Sequence, residues 1–228
     1  MVVRLVLLST ALACGIAHAE GIGAALTLTS DAVWRGYSRS QGRATWALDL
    51  SWRDDRGWFA AAGLLDRRDG AATGRWEWTL MAGHRWRIES DWVASASALR
   101  YAYSGGPKRI DAGYTDLNLA LDWRGRAQAL LAFSPDTRGG SRHGWVKTFE
   151  LGWHETLPGR LALDAGVGWQ DNRGIGVPAF GYGSAGLSWS LAEWRVSATR
   201  IVSRAVHSGA YPAQLQPSRW LLSVVLAR

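Results

Sequence analysis

Read for the alternation of apolar and polar positions, the chain breaks into short segments of period two. In Thr45 to Arg53, Trp46, Leu48, Leu50 and Trp52 share one face, while Ala47, Asp49, Ser51 and Arg53 share the other. That is the pattern of a strand with one greasy side and one small or charged side. The same alternation sets Trp76, Trp78, Leu80, Ala82 and Trp86 against Glu77, Thr79, Met81, Gly83 and Arg85, with His84 a blemish on the apolar face. It recurs with Leu117, Leu119, Leu121 and Trp123 against Asp116, Asn118, Ala120 and Asp122, and again over Leu161 to Gln170, where Asp164 lies on the polar side. Weaker versions cover 25–35, 57–65, 91–103, 126–134, 145–155, 182–191, 194–203 and 218–227. Lys147 and Arg200 interrupt the apolar face and leave the parity of their two segments open.

About twelve strands follow, each near the ~9–11 residues that a tilted membrane strand needs. Tight links are predicted at Asp54-Asp55-Arg56, Ile88-Glu89-Ser90, Gly125, Pro158-Gly159 and Ala192-Glu193. They alternate with longer ones at 36–44, 66–74, 104–109, 135–144, 171–180 and 204–217. Short turns at one end and longer loops at the other predict an all-β protein, a transmembrane antiparallel up-and-down β-barrel with both termini on the short-turn side. After residue 19, no apolar run reaches the roughly 20 residues of a membrane helix.

Composition strengthens this reading. Fifteen tryptophans are unevenly placed: Trp52 and Trp58, Trp86 and Trp92, and Trp189 and Trp194 flank short turns, and Trp123 lies beside another. Tryptophan favours the water–lipid boundary, so these residues predict an aromatic girdle on the short-turn, periplasmic side, with Trp34, Trp76, Trp145 and Trp169 nearer the loop side. The formal charge of +7 is almost all arginine, Lys108 and Lys147 being the only lysines. That balance suits lipid phosphates better than nucleic acid, which an exported protein rarely meets.

Export itself is read from residues 1–19. Arg4 is a positive start, Leu5 to Ala13 an apolar core, and Ala17-His18-Ala19 a cleavage site, leaving 20–228 as one barrel domain. Acylation at Cys14 is the rival reading, but Ala11 is a poor start to a lipobox. Cys14 is the only cysteine, so the mature chain has no disulfide and no thiol for catalysis. With no nucleotide-binding or metalloprotease motif and few histidines, no cofactor and no metal site is expected.

The candidate functional residues face the predicted interior. Asp31 and Arg35 are four apart, share a strand face, and predict an inward ion pair that either lines a pore or cross-links a narrow barrel. The other inward candidates are Asp49, Arg53, Glu77, Arg85, Asp116, Asp122, Glu150 and Asp164. Their mixed signs predict a wet, cross-linked lumen without strong preference for either ion sign. A loop-side set, Arg35, Arg39, Arg43, Arg67, Arg68, Arg75, Lys108, Arg109, Arg138, Arg142, Arg173 and Arg204, reads either as a rim for lipopolysaccharide phosphates or anionic solutes, or as ordinary solvated loops.

The run LTLTSDAVWRGYSRSQG, Leu26 to Gly42, carries the spacing Ser30-Asp31, Trp34-Arg35-Gly36, Ser38-Arg39-Ser40. It resembles the opening of the TorF-type porin family of bacterial outer-membrane proteins, and Leu130 to Asp136, Tyr182 to Val196 and Arg219-Trp220 are similar in style. The resemblance implies an outer-membrane barrel passing small hydrophilic solutes. Two alternatives remain: a lipid-modifying enzyme, for which His207-Ser208 is the one adjacent His/Ser pair, and a closed structural or adhesive barrel.

Overall fold

A computed structural model describes residues 21–67, 74–105, 113–139, 142–205 and 218–228. The predicted signal segment, Arg68, Lys108, Arg109 and the His207-Ser208 pair lie outside the described residues, as does the side chain of Arg138.

Twelve antiparallel strands close into one barrel. In chain order they are β1 (Gly21–Thr29), then, after a two-strand insert, β4 (Thr45–Arg53), β5 (Trp58–Asp66), β6 (Trp76–Arg87), β7 (Trp92–Ser104), β8 (Tyr114–Trp123), β9 (Ala127–Gly139), β10 (Arg142–Leu157), β11 (Leu161–Asp171), β12 (Phe180–Leu191), β13 (Trp194–Ala205) and β14 (Ser218–Ala227). The insert is a small hairpin, β2 (Val33–Trp34) and β3 (Tyr37–Ser38), which forms its own sheet. Closure comes from β1, which pairs with β4 on one side and β14 on the other, from Ala25↔Ala227 to Thr29↔Ser223. No edge is left to pair with another chain.

Hydrogen-bonded rows climb steadily around the barrel. A row that starts at Gly21, the first residue of β1, passes through Arg53, Phe59, Gly83, Ser97, Asn118, Ala132, Thr148, Gln170 and Phe180. It ends at Ala205, the loop-side end of β13. This is the stagger that strand tilt imposes on a closed barrel, roughly one residue per strand here.

The period-two pattern sorts the side chains as expected. Leu48, Leu50, Leu80, Leu117, Leu119, Leu131, Leu187 and Leu222 are exposed on the outer wall, and the alternate positions face in. Trp52, Trp58, Trp86, Trp92, Trp189 and Trp194 are exposed beside the short turns, joined by Trp153. His84 is no defect: its ring packs edge-on against Trp58 at 4.7 Å and tilts against Trp86 at the same distance, so it belongs to that girdle. Lys147 and Arg200 point outward.

Three expectations need correction. The first strand ends at Thr29, not Arg35, because the chain turns inward at Ser30. The segment 135–144 is largely strand, since β9 and β10 stay paired out to Gly139 and Arg142. Trp34 is not a rim residue: it is 7% exposed and lies inside the barrel against Leu99 and Tyr101.

Candidate functional site: an inner hairpin across the lumen

Between β1 and β4, residues 30–44 fold into the barrel. The turn Trp34-Arg35-Gly36-Tyr37 has φ of 47° at Arg35 and 80° at Gly36. Two successive positive values make the tight twisted turn favoured in two-residue hairpins, where glycine suits the second position. Glycine is also demanded by space, because a Cβ at Gly36 would lie 2.6 Å from Ser203 Oγ and 3.0 Å from Tyr182 Cβ. The hairpin tip thus rests directly on the β12–β13 wall, where Ser203 donates to the Gly36 carbonyl at 3.0 Å.

Asp31 organises the base. Its Oδ1 accepts from the Ser38 and Ser40 hydroxyls, both at 2.7 Å, and from the Gly42 amide at 3.2 Å. Its Oδ2 is bound by Arg219 of β14. Ser40 Oγ in turn accepts from the Ala32 amide at 2.9 Å. The spacing Ser30-Asp31 with Ser38-Arg39-Ser40 is therefore the closing network of an inward loop: one carboxylate satisfies donors that lie seven, nine and eleven residues ahead.

The expected Asp31–Arg35 pair does not form. The two residues lie on a turn and its base, not on one strand face, and each has other partners. Arg35 Nη1 donates to Asp116 Oδ2 of β8 at 2.9 Å, and Nε lies 3.8 Å from Glu150 Oε1 of β10. Arg39 Nη1 pairs with Glu77 of β6, which also has Arg67 Nε 3.9 Å away. Arg35, Arg39 and Arg67 of the expected outer rim are thus buried in the lumen. Arg75 and Arg173 do stay at the loop end, paired with Asp66 and Asp171.

Aromatic contacts fill the remaining space. Trp34 meets Tyr101 edge-on at 5.9 Å, with the Arg35 and Arg39 guanidiniums 4.9 Å and 5.1 Å from its ring. Tyr101 stacks on Tyr114 at 4.4 Å, and Tyr37 packs edge-on against Phe180 at 4.7 Å. Asn172 donates to the Tyr37 hydroxyl at 3.2 Å, and the Tyr182 hydroxyl binds Glu150. Between the hairpin and the β4–β6 wall a cavity of about 20 Å³ remains, bordered by Asp49, Thr79 and Glu77. It has room for about one water.

Below the hairpin, toward the short turns, the lumen is furnished differently. On the β10–β13 wall, His154 Nδ1 is 2.7 Å from Asp164 Oδ1, and Arg195 Nη2 donates to Asp164 Oδ2 at 2.7 Å and to Ser188 at 2.8 Å. Among the described residues, the outer nitrogen of His154, Gln128 Nε2, Asp49 Oδ2 and Arg53 Nε are all buried without a partner. Arg53 and Arg85 form no salt bridge among the described residues, although they lie within electrostatic reach of one another and Arg85 also of Asp122. Asp122 itself accepts from the Gly125 amide at 2.8 Å.

All ten candidate residues thus have their side chains inside the barrel. Asp31, Arg35, Glu77, Asp116 and Glu150 form the hairpin clamp, Asp49 borders the small cavity beside it, and Arg53, Arg85, Asp122 and Asp164 belong to the lower lumen. Sequence reasoning placed Arg39 on the outer rim and missed Arg219, Tyr182 and Ser134, whose hydroxyl donates to Asp116, in the clamp, and His154 and Arg195 below it. Arg39, Arg219, Tyr182, Ser134 and Arg195 lie in the segments quoted for the resemblance, which was a usable signal.

Set against known proteins, this geometry has counterparts. The NanC porin structure superposes with a TM-score of 0.60, covering 91% of this chain and 98% of that one at 8% identity. The KdgM porin gives 0.53, covering 90% and 97% at 10% identity, and KdgM in complex with disordered oligogalacturonate gives 0.54 at 9% identity with the same coverage. The fold is that of the twelve-stranded outer-membrane porins. No family model and no curated protein sequence matches the chain. The likeness is one of architecture, nearly end to end on both sides, and at such identities it carries no residue across.

Proposed function

We propose that the protein is a non-enzymatic outer-membrane porin of the TorF type, passing small hydrophilic solutes through a lumen narrowed by residues 30–44. The observation that carries this reading is the lower lumen. Among the described residues Arg53 and Arg85 face inward with no carboxylate bonded to them, and buried unpaired charge is prohibitively costly in a dry core. Such an interior is water-filled, and a water-filled barrel admits polar solutes down to its narrowest section. The hairpin supplies that section, and mixed signs on both sides of it favour weak ion selectivity.

The test is conductance of the purified, refolded protein in planar bilayers. Small discrete steps are expected, enlarged when residues 31–42 are replaced by a short Gly/Ser link. A barrel that stays silent in both forms is a closed one, and the porin reading falls. On the outside, the loop-end cations support contact with outer-membrane lipid and lipopolysaccharide, with Arg75 and Arg173 still at that rim.

A further inference from the structure

Three cations stand where the wall of a membrane barrel is normally apolar. Arg100 on β7, Lys147 on β10 and Arg200 on β13 are all exposed and share the outward parity of Leu117, Phe149 and Leu222. None is at a strand end. Arg100 pairs in register with Leu80 and Thr115, Lys147 with Phe133 and Asp171, and Arg200 with Ala185 and Trp220.

Their spacing is regular. The three strands are three apart in the order of the closed barrel, so the cations sit a quarter-turn from one another. They also share a level. Leu117, one same-face step below Arg100's partner Thr115, leads through Phe133 to Lys147. The row through Arg200 meets Ala185, Ala165 and then Trp153, three same-face steps below Lys147 on β10, but it descends three strands on the way. Allowing for the climb of roughly one residue per strand, all three lie within about two residues of one height. Exposed aromatic residues, Trp78, Phe133, Trp169 and Trp220, occupy the same level. This is the upper girdle, and the cations are part of it.

Among the described residues none of the three makes a salt bridge, although Lys147 lies within electrostatic reach of Asp171. Arg100 reaches only the Thr115 hydroxyl at 3.4 Å, Lys147 lies 4.7 Å over the Trp145 ring, and Arg200 lies 5.6 Å over the Trp220 ring. Asp171, opposite Lys147, is already gripped by two nitrogens of Arg173. A lipid-facing cation is destabilising at the bilayer centre and tolerated at the interface, where it can reach a headgroup. Arg204, four residues above Arg200 on the same exposed face, extends the charge toward the loops. The wall beside them is low: β12 shows Gly181 and Gly183 outward, and a Cβ there would meet nothing closer than 3.8 Å and 3.5 Å. Neither glycine is required by its neighbours, unlike inward Gly168, whose Cβ would lie 2.2 Å from the Tyr182 ring.

We propose that Arg100, Lys147 and Arg200, with Arg204 above the last, form a lipid-facing belt that binds the phosphate groups of an outer-leaflet glycolipid. The belt is distinct from the loop-rim cations. It rests on the barrel lying in the outer membrane with its long loops outward, and it is independent of whether the lumen conducts. Cations at one height along half of the barrel's circumference, Lys147 and Arg200 seated over indoles, match an adjoining arc of phosphates in charge and placement.

The experiment compares the full-length mature protein with R100Q/K147Q/R200Q and with R100K/R200K in nanodiscs. The probes are bisphosphorylated lipid A and the same acylated disaccharide without phosphates, with bound lipid counted by native mass spectrometry. Phosphorylated lipid should bind the unsubstituted protein at least several-fold more than the phosphate-free form. The glutamine variant should lose that preference, and the lysine variant should keep most of it. Equal retention of both lipids, or an unchanged preference in the glutamine variant, overturns the belt. So does complete displacement of the lipid by millimolar inorganic phosphate, which would mark the cations as sites for a soluble anion. Conductance of the same samples is read in parallel: loss of lipid preference with unaltered current steps isolates the belt from the porin reading, and a silent barrel that still selects phosphorylated lipid leaves the belt standing.

Discussion

In the loop-side half of the lumen Arg35, Arg39 and Arg219 each close on a carboxylate, whereas in the lower half Arg53 and Arg85 face the cavity with none bonded. Both halves are lined by the same alternating strands and comparable residue types. What separates them is the inserted hairpin, which carries Asp31, Arg35 and Arg39 to the centre. There the counter-charges Asp116, Glu150, Glu77 and Arg219 project from the wall. The difference teaches that inward charge in this barrel does two jobs: above, it is structural and fixes a constriction; below, Asp164 is held by His154 and Arg195 on one wall, while Arg53 and Arg85 on the other are left to water.

The largest expected effect comes from removing the constriction. Replacing residues 31–42 with a Gly/Ser link should raise single-channel conductance several-fold while β1 and β4 stay paired, since their ladder from Gly21↔Arg53 to Thr29↔Thr45 does not involve the hairpin. Unchanged conductance would move the narrowest section to the lower half and erase the contrast.

Next comes the clamp itself. Arg35 is 4% exposed and Asp116 0%, so Arg35→Met leaves two carboxylates buried without their cation. Breaking a buried pair in this way costs about 3–5 kcal/mol. That loss is expected in the urea midpoint of the refolded barrel, together with noisy, flickering current as the tip leaves Ser203. Adding Asp116→Asn and Glu150→Gln to Arg35→Met should restore much of the stability, because no unpaired charge remains. If the single variant is as stable as the parent, the loop-side half is not a clamp.

Charge below the hairpin should matter for ions and hardly at all for folding. Arg53→Gln with Arg85→Gln is expected to shift the reversal potential in a salt gradient toward cations, by roughly a twofold change in permeability ratio. Stability should move by no more than about 0.5 kcal/mol. A large loss of stability would show hidden partners and make the two halves alike.

Much of this was readable from residue order, and the part that was not has a definite cause. Period two alone placed Leu48, Leu50, Leu117 and Leu119 outside and Asp49, Asp116 and Asp122 inside, because a strand has only two faces and lipid selects one. The same rule failed over Asp31 to Gly42. It assumes a wall, and a loop folded into the lumen buries both of its faces. Trp34 was therefore assigned to the rim on parity that did not apply. A local cue was present: Val33-Trp34 and Tyr37-Ser38 flank Arg35-Gly36, a two-residue link ending in glycine, which is how a tight hairpin reads. The partners of Arg35 lie 81 and 115 residues further along the chain, and no local pattern encodes those distances.

The smallest effect tests a charge outside both halves. Asp91 and Arg124 pair at 2.8 Å across the short turns, with both side chains largely in water. Arg124's hydrogen bond holds the Asp91 carboxyl below its ordinary value. The sign follows: a depressed folded value means that the pair's contribution is present above the ordinary carboxylate range and fades as pH falls through the folded value. Asp91→Asn should therefore lower the unfolding midpoint slightly at pH 7, by an amount that shrinks as the pH is taken down toward 3, with current steps unaltered throughout. Salt should erase the same difference at neutral pH, as it does for solvated pairs and would not for Arg35 with Asp116. A pair on the short-turn rim that resisted both acid and salt would behave like the clamp, and the line between structural and solvated charge would have to be drawn lower in the barrel.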